Sequence, residues 1–193
     1  MSFQAASKRD KEISKKLCFL LRHGAVKKGL AIRPDGFVEV SKVLKAIADC
    51  SLIDLQRIVA TDDKQRFTLH VGKELWIKAN QGHSIAQVNS LSIRYLINVS
   101  FDIIHGTYFS QWEKIRSEGI SRMTRNHIHF AKGLNFICGL RQDCEVFIYI
   151  DFPKASRDGI KFYESENNVI LSPGDFDGYI KPQYFLKVIT QSG

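Results

Sequence analysis

The chain has 193 residues, enough for one large domain or two small lobes with a sizeable core. With 44% hydrophobic and 25% charged residues against only 13 Gly and 4 Pro, it is not a fibrous, low-complexity or disordered chain. Its net charge of +8 lies in residues 1–97, which hold 17 Lys+Arg against 9 Asp+Glu, whereas residues 98–193 hold 11 of each, so the first half is suited to a polyanion and the second to another task.

The N-terminal residues MSFQAASKRDKEISKK lack the apolar core of a signal peptide. In Glu12 to His23, Ile13, Leu17, Leu20 and Leu21 mark one face of a helix that Gly24 would end. Asp35-Gly36 turns the chain into a short strand, Phe37 to Val40. Ser41 can cap a second helix bearing Val43, Leu44 and Ile47, and Ser51 a third bearing Leu52, Leu55, Ile58 and Val59. The period then drops to two: Phe67, Leu69 and Val71 alternate with polar residues, Gly72-Lys73 offers a turn, and Leu75 and Ile77 resume the pattern of a β-hairpin. Three short helices followed by a hairpin is the order of a winged helix, often a nucleic-acid module.

A boundary is expected near residue 92. Beyond it strands predominate: Phe101 to Ile104, His127 to Phe130, Glu145 to Asp151, Ile160 to Tyr163, Asn168 to Leu171 and Tyr184 to Ile189, with one helix, Ser110 to Ser117, closed by Gly119. The expected class is α+β, a helical lobe over 1–92 and a split-sheet lobe over 93–193. No stretch approaches transmembrane length, so the protein is expected to be intracellular, cytoplasmic or nuclear, with no membrane partner.

Phosphate-loop, dinucleotide, zinc-protease and serine-hydrolase motifs are absent. Cys18, Cys50, Cys138 and Cys144 show no metal-binding spacing. Arg and His remain. Arg22-His23 closes the first helix, where a cation also suits the helix end. Arg66 enters the hairpin, and a basic entry can equally be a solvated face. Gln81-Gly82-His83-Ser84 offers backbone amides, an imidazole and a hydroxyl to an anion, or makes a polar turn. His105-Gly106-Thr107 follows a strand. His127 and His129 share a strand face without a third ligand type nearby, so no metal is expected. Arg141 follows Gly139-Leu140, and by position alone it can be an ordinary surface arginine.

Together, Leu20-Leu21-Arg22-His23-Gly24, Asp35-Gly36-Phe37-Val38, Lys64-Gln65-Arg66-Phe67, Ala79-Asn80-Gln81-Gly82-His83-Ser84, His105-Gly106-Thr107, His127-Ile128-His129, Gly139-Leu140-Arg141 and Ile170-Leu171-Ser172-Pro173-Gly174 occur in this order. From about residue 10 to residue 188 the chain resembles the RNA (tRNA) 2′-phosphotransferases. The resemblance implies an N-terminal winged-helix lobe that binds RNA and a C-terminal lobe of ADP-ribosyltransferase type that binds NAD. It implies transfer of an internal 2′-phosphate of spliced tRNA to NAD, through a 2′-phospho-ADP-ribosyl RNA. The products would be 2′-OH RNA, nicotinamide and ADP-ribose 1″,2″-cyclic phosphate. The family's Arg-His-Arg-Arg set falls on Arg22, His23, Arg66 and Arg141 as catalytic residues. Arg22, His23, Arg66, Gln81, His83 and Ser84 would hold the RNA phosphate, and His105, Gly106, Thr107, Gly119, Arg125, His127 and His129 the NAD. A monomer is expected. One departure is Gly24-Ala25 after Arg22-His23, where other members often have Pro in the second place. The rival readings are an ADP-ribosyltransferase that omits the second step and a non-catalytic winged-helix nucleic-acid binder.

Overall fold

The computed structural model describes residues 7–136, 138–141 and 143–191. The chain divides into two compact units, residues 1–92 and 93–193.

In the first unit, α1 (Lys8–Phe19) starts at Ser7, whose Oγ accepts a hydrogen bond from the Asp10 amide at 3.0 Å. The helix does not run unbroken to His23 as its periodicity suggests. It widens into a π-turn, Leu20–Gly24, then tightens into a 3₁₀ turn, Val26–Lys28, which Gly29 ends. The apolar stripe cannot tell these apart, because the widened turn keeps Leu20, Leu21 and Ala25 in the core just as a regular helix would. β1 (Val38–Glu39) leads into α2 (Val40–Ala46), two residues earlier than expected: Glu39 takes the cap position and Ser41 donates its hydroxyl to the Glu39 carboxylate. α3 (Leu52–Ala60) is capped as expected by Ser51, and the Asp54 carboxylate in turn accepts from the Ser51 amide at 3.0 Å. The hairpin pairs β2 (Phe67–Val71) with β3 (Leu75–Ala79), and β1 joins the other side of β3. Ile13, Leu17, Leu21, Leu55, Phe67 and Ile77 form the shared core.

Beside that core Arg57 bridges α3 to α1, donating to Asp10 at 2.7 Å and to Asp54 at 2.8 Å, and Arg9 also reaches Asp54. Hydrogen bonds from Arg57 pull the Asp10 pKa down, and bonds from Ser51 and then Arg57 pull Asp54 well below the usual carboxylate range. A carboxylate whose folded pKa is depressed stabilises the fold above its unfolded value, about 3.9, and loses that contribution as pH falls through the folded value. Denaturant titrations at pH 7 and pH 3 are expected to show this loss, and Arg57→Ala to flatten it; equal flattening by a remote surface Arg→Ala would refute the assignment.

The second unit begins with β4 (Ile93–Tyr95), a strand with no periodic signal. β5 (Ile103–Thr107), α4 (Phe109–Glu118), β6 (Ile120–Ser121), β7 (Ile128–Lys132), β8 (Val146–Ile150), α5 (Phe152–Arg157), β9 (Tyr163–Ser165), β10 (Ile170–Ser172), β11 (Tyr179–Ile180) and β12 (Phe185–Thr190) follow. Seven strands form one antiparallel sheet in the order β12-β8-β5-β7-β10-β9-β4, while β6 and β11 make a separate pair. Ile103, Phe130, Ile148, Phe162 and Ile170 fill its core. The architecture is thus mixed α and β with antiparallel sheets. Among the described residues no helix is long and apolar enough to cross a membrane.

Candidate active site

Each unit gathers its own set of polar residues. In the first, the π-turn presents Arg22 and His23, both half-buried. The segment after β3 is tied to them twice: the Ser84 amide donates to the Arg22 carbonyl at 2.9 Å, and His23 Nδ1 lies 2.8 Å from Ser84 Oγ. Gly82 lies directly against the Arg22 guanidinium. His83 is 1% exposed, too enclosed to be a simple surface turn residue, and Gln81 is half-buried beside it in sequence.

Arg66 stands at the mouth of β2. Its amide donates to Asp62 at 2.6 Å and its guanidinium is ion-paired with the same carboxylate. Its carbonyl accepts from the Asn80 amide at 2.8 Å, while Asn80 Nδ2 donates to the Gln65 carbonyl and Thr68 donates to Asn80 Oδ1. Asn80 thereby locks the hairpin entry to the residue before Gln81. Arg22 and Arg66 meet electrostatically at Cys18: burial pushes its thiol pKa up, and the two guanidiniums oppose that rise. Both guanidiniums thus act on one thiol, and the Asp62 carboxylate paired with Arg66 acts on it in the opposite sense.

In the second unit His105, on β5, donates Nδ1–H to the His129 carbonyl on β7 at 3.0 Å, since a carbonyl can only accept. Burial pulls the His105 pKa down, so the ring is neutral at pH 7 and its Nε2 carries a lone pair. Gly106 backs onto Cys144 and Leu140 with no room for a side chain, and Thr107 is buried, its carbonyl accepting from the Glu145 amide at 2.9 Å. His127 precedes β7 and packs edge-on against Tyr163 at 6.3 Å; burial and then the Arg122 charge lower its pKa. Arg122 donates to the Arg125 carbonyl at 2.9 Å. Desolvation, then the like charge of Arg141, lowers the Arg125 pKa, so Arg125 and Arg141 lie within each other's field. Gly119 closes α4 against the Ile180 carbonyl.

Arg141 is exposed but held: it donates to the Tyr108 hydroxyl at 3.1 Å and lies 5.9 Å from that ring's centroid, while Tyr108 donates to Asp143 at 3.1 Å. The Tyr108 bond raises the Arg141 pKa further. Gly139, two residues earlier, has φ 93°, and a β-carbon there would stand 2.6 Å from the Phe130 carbonyl oxygen and 2.7 Å from Ala131 Cα. Only glycine allows this segment to cross β7 so closely.

Sequence reasoning missed Asp62, Arg122 and Tyr108, and it noted Asn80 only as part of the Ala79 to Ser84 motif, without a role. Asp62 could have been suspected from its i,i+4 spacing to Arg66, as could Tyr108 from its place beside Thr107; no sequence signal marks Arg122 as a neighbour of His127. Among the described residues no cluster of three His, Cys, Asp or Glu has the makings of a metal site.

The sequence pattern described as "RNA 2′-phosphotransferase, Tpt1 / KptA family" matches residues 8–174. A protein of Danio rerio named tRNA 2′-phosphotransferase 1 is 47% identical over 190 residues, covering 92% of this chain and 84% of its own length. The Homo sapiens protein of the same name is 42% identical over 193 residues, covering 94% and 76%. The tRNA 2′-phosphotransferase of Saccharomyces cerevisiae is 36% identical over 182 residues, covering 86% and 79%.

Proposed function

We propose, from the premise that this chain belongs to the RNA 2′-phosphotransferase family, that it transfers the internal 2′-phosphate of spliced tRNA to NAD. In this reading the first unit is a winged-helix RNA module and the second an ADP-ribosyltransferase-like NAD module. The observation that carries it is the anchored π-turn that presents Arg22 and His23: the Ser84 amide donates to the Arg22 carbonyl, His23 Nδ1 lies 2.8 Å from Ser84 Oγ, and Gly82 lies against the Arg22 guanidinium. Arg is suited to this task because its planar fork pairs two phosphate oxygens at once.

NAD enters as a co-substrate, and the second unit has groups that suit it. Arg125 and Arg141 repel one another unless an anion such as a pyrophosphate or phosphate lies between their fields. Neutral His105 offers Nε2 to a ribose hydroxyl, while its other nitrogen is committed to His129. Gly106 and Thr107 extend that strand end, and His127 and His129 flank it.

The RNA 2′-phosphate attacks C1″ of the nicotinamide ribose and nicotinamide leaves with the bonding pair. Ribose O2″ then attacks the phosphorus and the RNA 2′-oxygen leaves, taking up the proton that O2″ gives up. Arg22, His23 and Arg66 of the first unit would orient the phosphate dianion, and the resemblance gives Arg141 of the second unit a catalytic role as well. A carboxylate about 4 Å from that dianion would be repelled by roughly 4 kcal/mol per charge pair at an effective dielectric near 20, so Asp62 serves by turning Arg66 rather than by touching phosphate.

The test is a 2′-phosphorylated RNA oligonucleotide incubated with NAD. Nicotinamide and ADP-ribose cyclic phosphate are expected in equal amounts. Nicotinamide with a permanently ADP-ribosylated RNA would favour the single-step transferase, and no nicotinamide the non-catalytic binder. Turnover is also expected to survive excess EDTA, because the phosphate's charge is answered by guanidiniums; loss on chelation, restored by Zn²⁺ or Mg²⁺, would mean that His127 and His129 ligate a metal.

A further inference from the structure

On α1, one turn before Arg22 and His23, Phe19 is 59% exposed. It borders a groove of about 420 Å³ whose floor is Leu20, Ala46, Ile47 and Ala48 and whose rim carries Lys15, Lys16 and Lys28. A single exposed aromatic needs no explanation. This one is different in three respects. Its ring rests on Gly24, where a β-carbon would stand 2.9 Å from the ring edge, so the missing side chain at Gly24 is what lets the ring lie there. The ring centroid is 6.2 Å from that of His23, tilted at 52°, so the Phe19 side of the groove borders the turn that carries His23. And the surrounding charge is of one sign, with none of the three lysines ion-paired to a described residue.

A fixed aromatic face on an apolar floor, ringed by flexible cations, matches the chemistry of a single-stranded nucleotide: base on ring, phosphates on lysines. We infer that this groove docks a nucleotide neighbouring the 2′-phosphorylated one, its base stacked on Phe19 and its backbone neutralised by Lys15, Lys16 and Lys28. The inference rests on the reading that the substrate is RNA. It adds that affinity for longer substrates comes from stacking beside His23, whatever the base. Phe19 is a specificity residue for strand length and single-strandedness and takes no part in bond making.

The experiment compares 2′-phosphorylated oligonucleotides of two lengths: a minimal one with the phosphate and no neighbour beyond one nucleotide, and two extended ones, lengthened on the 5′ or on the 3′ side. The wild-type enzyme is expected to show a lower KM for one extended form. Phe19→Ala is expected to raise that KM about tenfold, to leave its kcat unchanged, and to leave both constants unchanged on the minimal substrate. Phe19→Trp, which keeps an aromatic face, is expected to retain the low KM, whereas Phe19→Leu, apolar but without one, is not. Replacing Lys15, Lys16 and Lys28 by Gln is expected to flatten the dependence of log Kd on log salt by about 0.7 per lysine that meets a phosphate. If the wild type processes these RNAs but Phe19→Ala has the same KM on all of them, the groove is not a nucleotide site. If instead the chain forms a concentration-dependent dimer that Phe19→Ala abolishes, its occupant is a second copy. Failure of the wild type on every oligonucleotide would remove the RNA reading itself.

Discussion

Arg66→Ala and Arg141→Ala are expected to accumulate 2′-phospho-ADP-ribosylated RNA, which the wild type hardly shows. The two proposed steps use the phosphate in opposite senses. In the first it is the nucleophile: neutralising it brings it to NAD but also lowers its nucleophilicity, so an arginine's net benefit is limited. In the second the same phosphorus is the electrophile, and its non-bridging oxygens carry charge through a crowded five-coordinate state. Each guanidinium on them then acts as an oxyanion-hole donor does, worth ~3 kcal/mol or roughly 10²-fold in rate. Arg66 is turned by Asp62 and Arg141 by Tyr108, so neither has to be ordered at the moment of reaction. Single-turnover gels with radiolabelled RNA would show the intermediate as a slower band. Changing His105 or Arg125, assigned to NAD, is expected to slow the first step and accumulate nothing. If the two arginine variants only slow substrate loss, this division between phosphate and NAD residues is wrong.

Gly139→Ala is expected to reduce activity nearly as far as Arg141→Ala while leaving most of the second unit folded. At φ 93° an alanine is strained, and its β-carbon meets backbone atoms of Phe130 and Ala131 that β7 holds in the sheet and that cannot retreat like a side-chain tip. Relief must come from the 139–141 segment, which carries Arg141. Strain of this kind costs about 1–3 kcal/mol, and a shift of an ångström at a positioned guanidinium can cost 10²-fold in rate. Near-normal kcat with lowered thermal stability would show that the strain is absorbed elsewhere.

Much of the fold was legible because burial imposes a period. The hairpin alternation from Phe67 to Ile77 and the strand from Val146 to Ile150 follow from which side chains must leave water, and the Ser51 cap from the hydroxyl that a helix start needs for its unpaired amides. β4, β6 and β11 were not legible, for strands of two or three residues are too short to show a period: β6 and β11 pair with each other and β4 pairs with β9, partners far away in sequence. α5 hid behind Pro153, which reads as a break but sits in the first turn of a helix, where its missing N–H costs nothing. At the candidate site the charged side chains stood out by type and order, whereas their orienting partners did not. Asp62, Asn80 and Tyr108 act through local hydrogen bonds, and apart from the i,i+4 spacing of Asp62 to Arg66 and the place of Tyr108 beside Thr107 nothing in a linear pattern distinguishes them from other polar residues.

The π-turn at Leu20–Gly24 has one more consequence, for local opening. The Ser84 amide lies in a segment outside any strand or helix, where amide protons ordinarily exchange quickly with water. Its bond to the Arg22 carbonyl ties that proton's protection to the integrity of the turn, and the His23–Ser84 contact adds a second tie. Residues 20–24 and 84 are then expected to behave as one cooperative unit in hydrogen exchange, opening and closing together although most of the first unit's sequence separates them. The exchange rate of this one amide would therefore report, without any substrate, how much of the time Arg22 and His23 are in place.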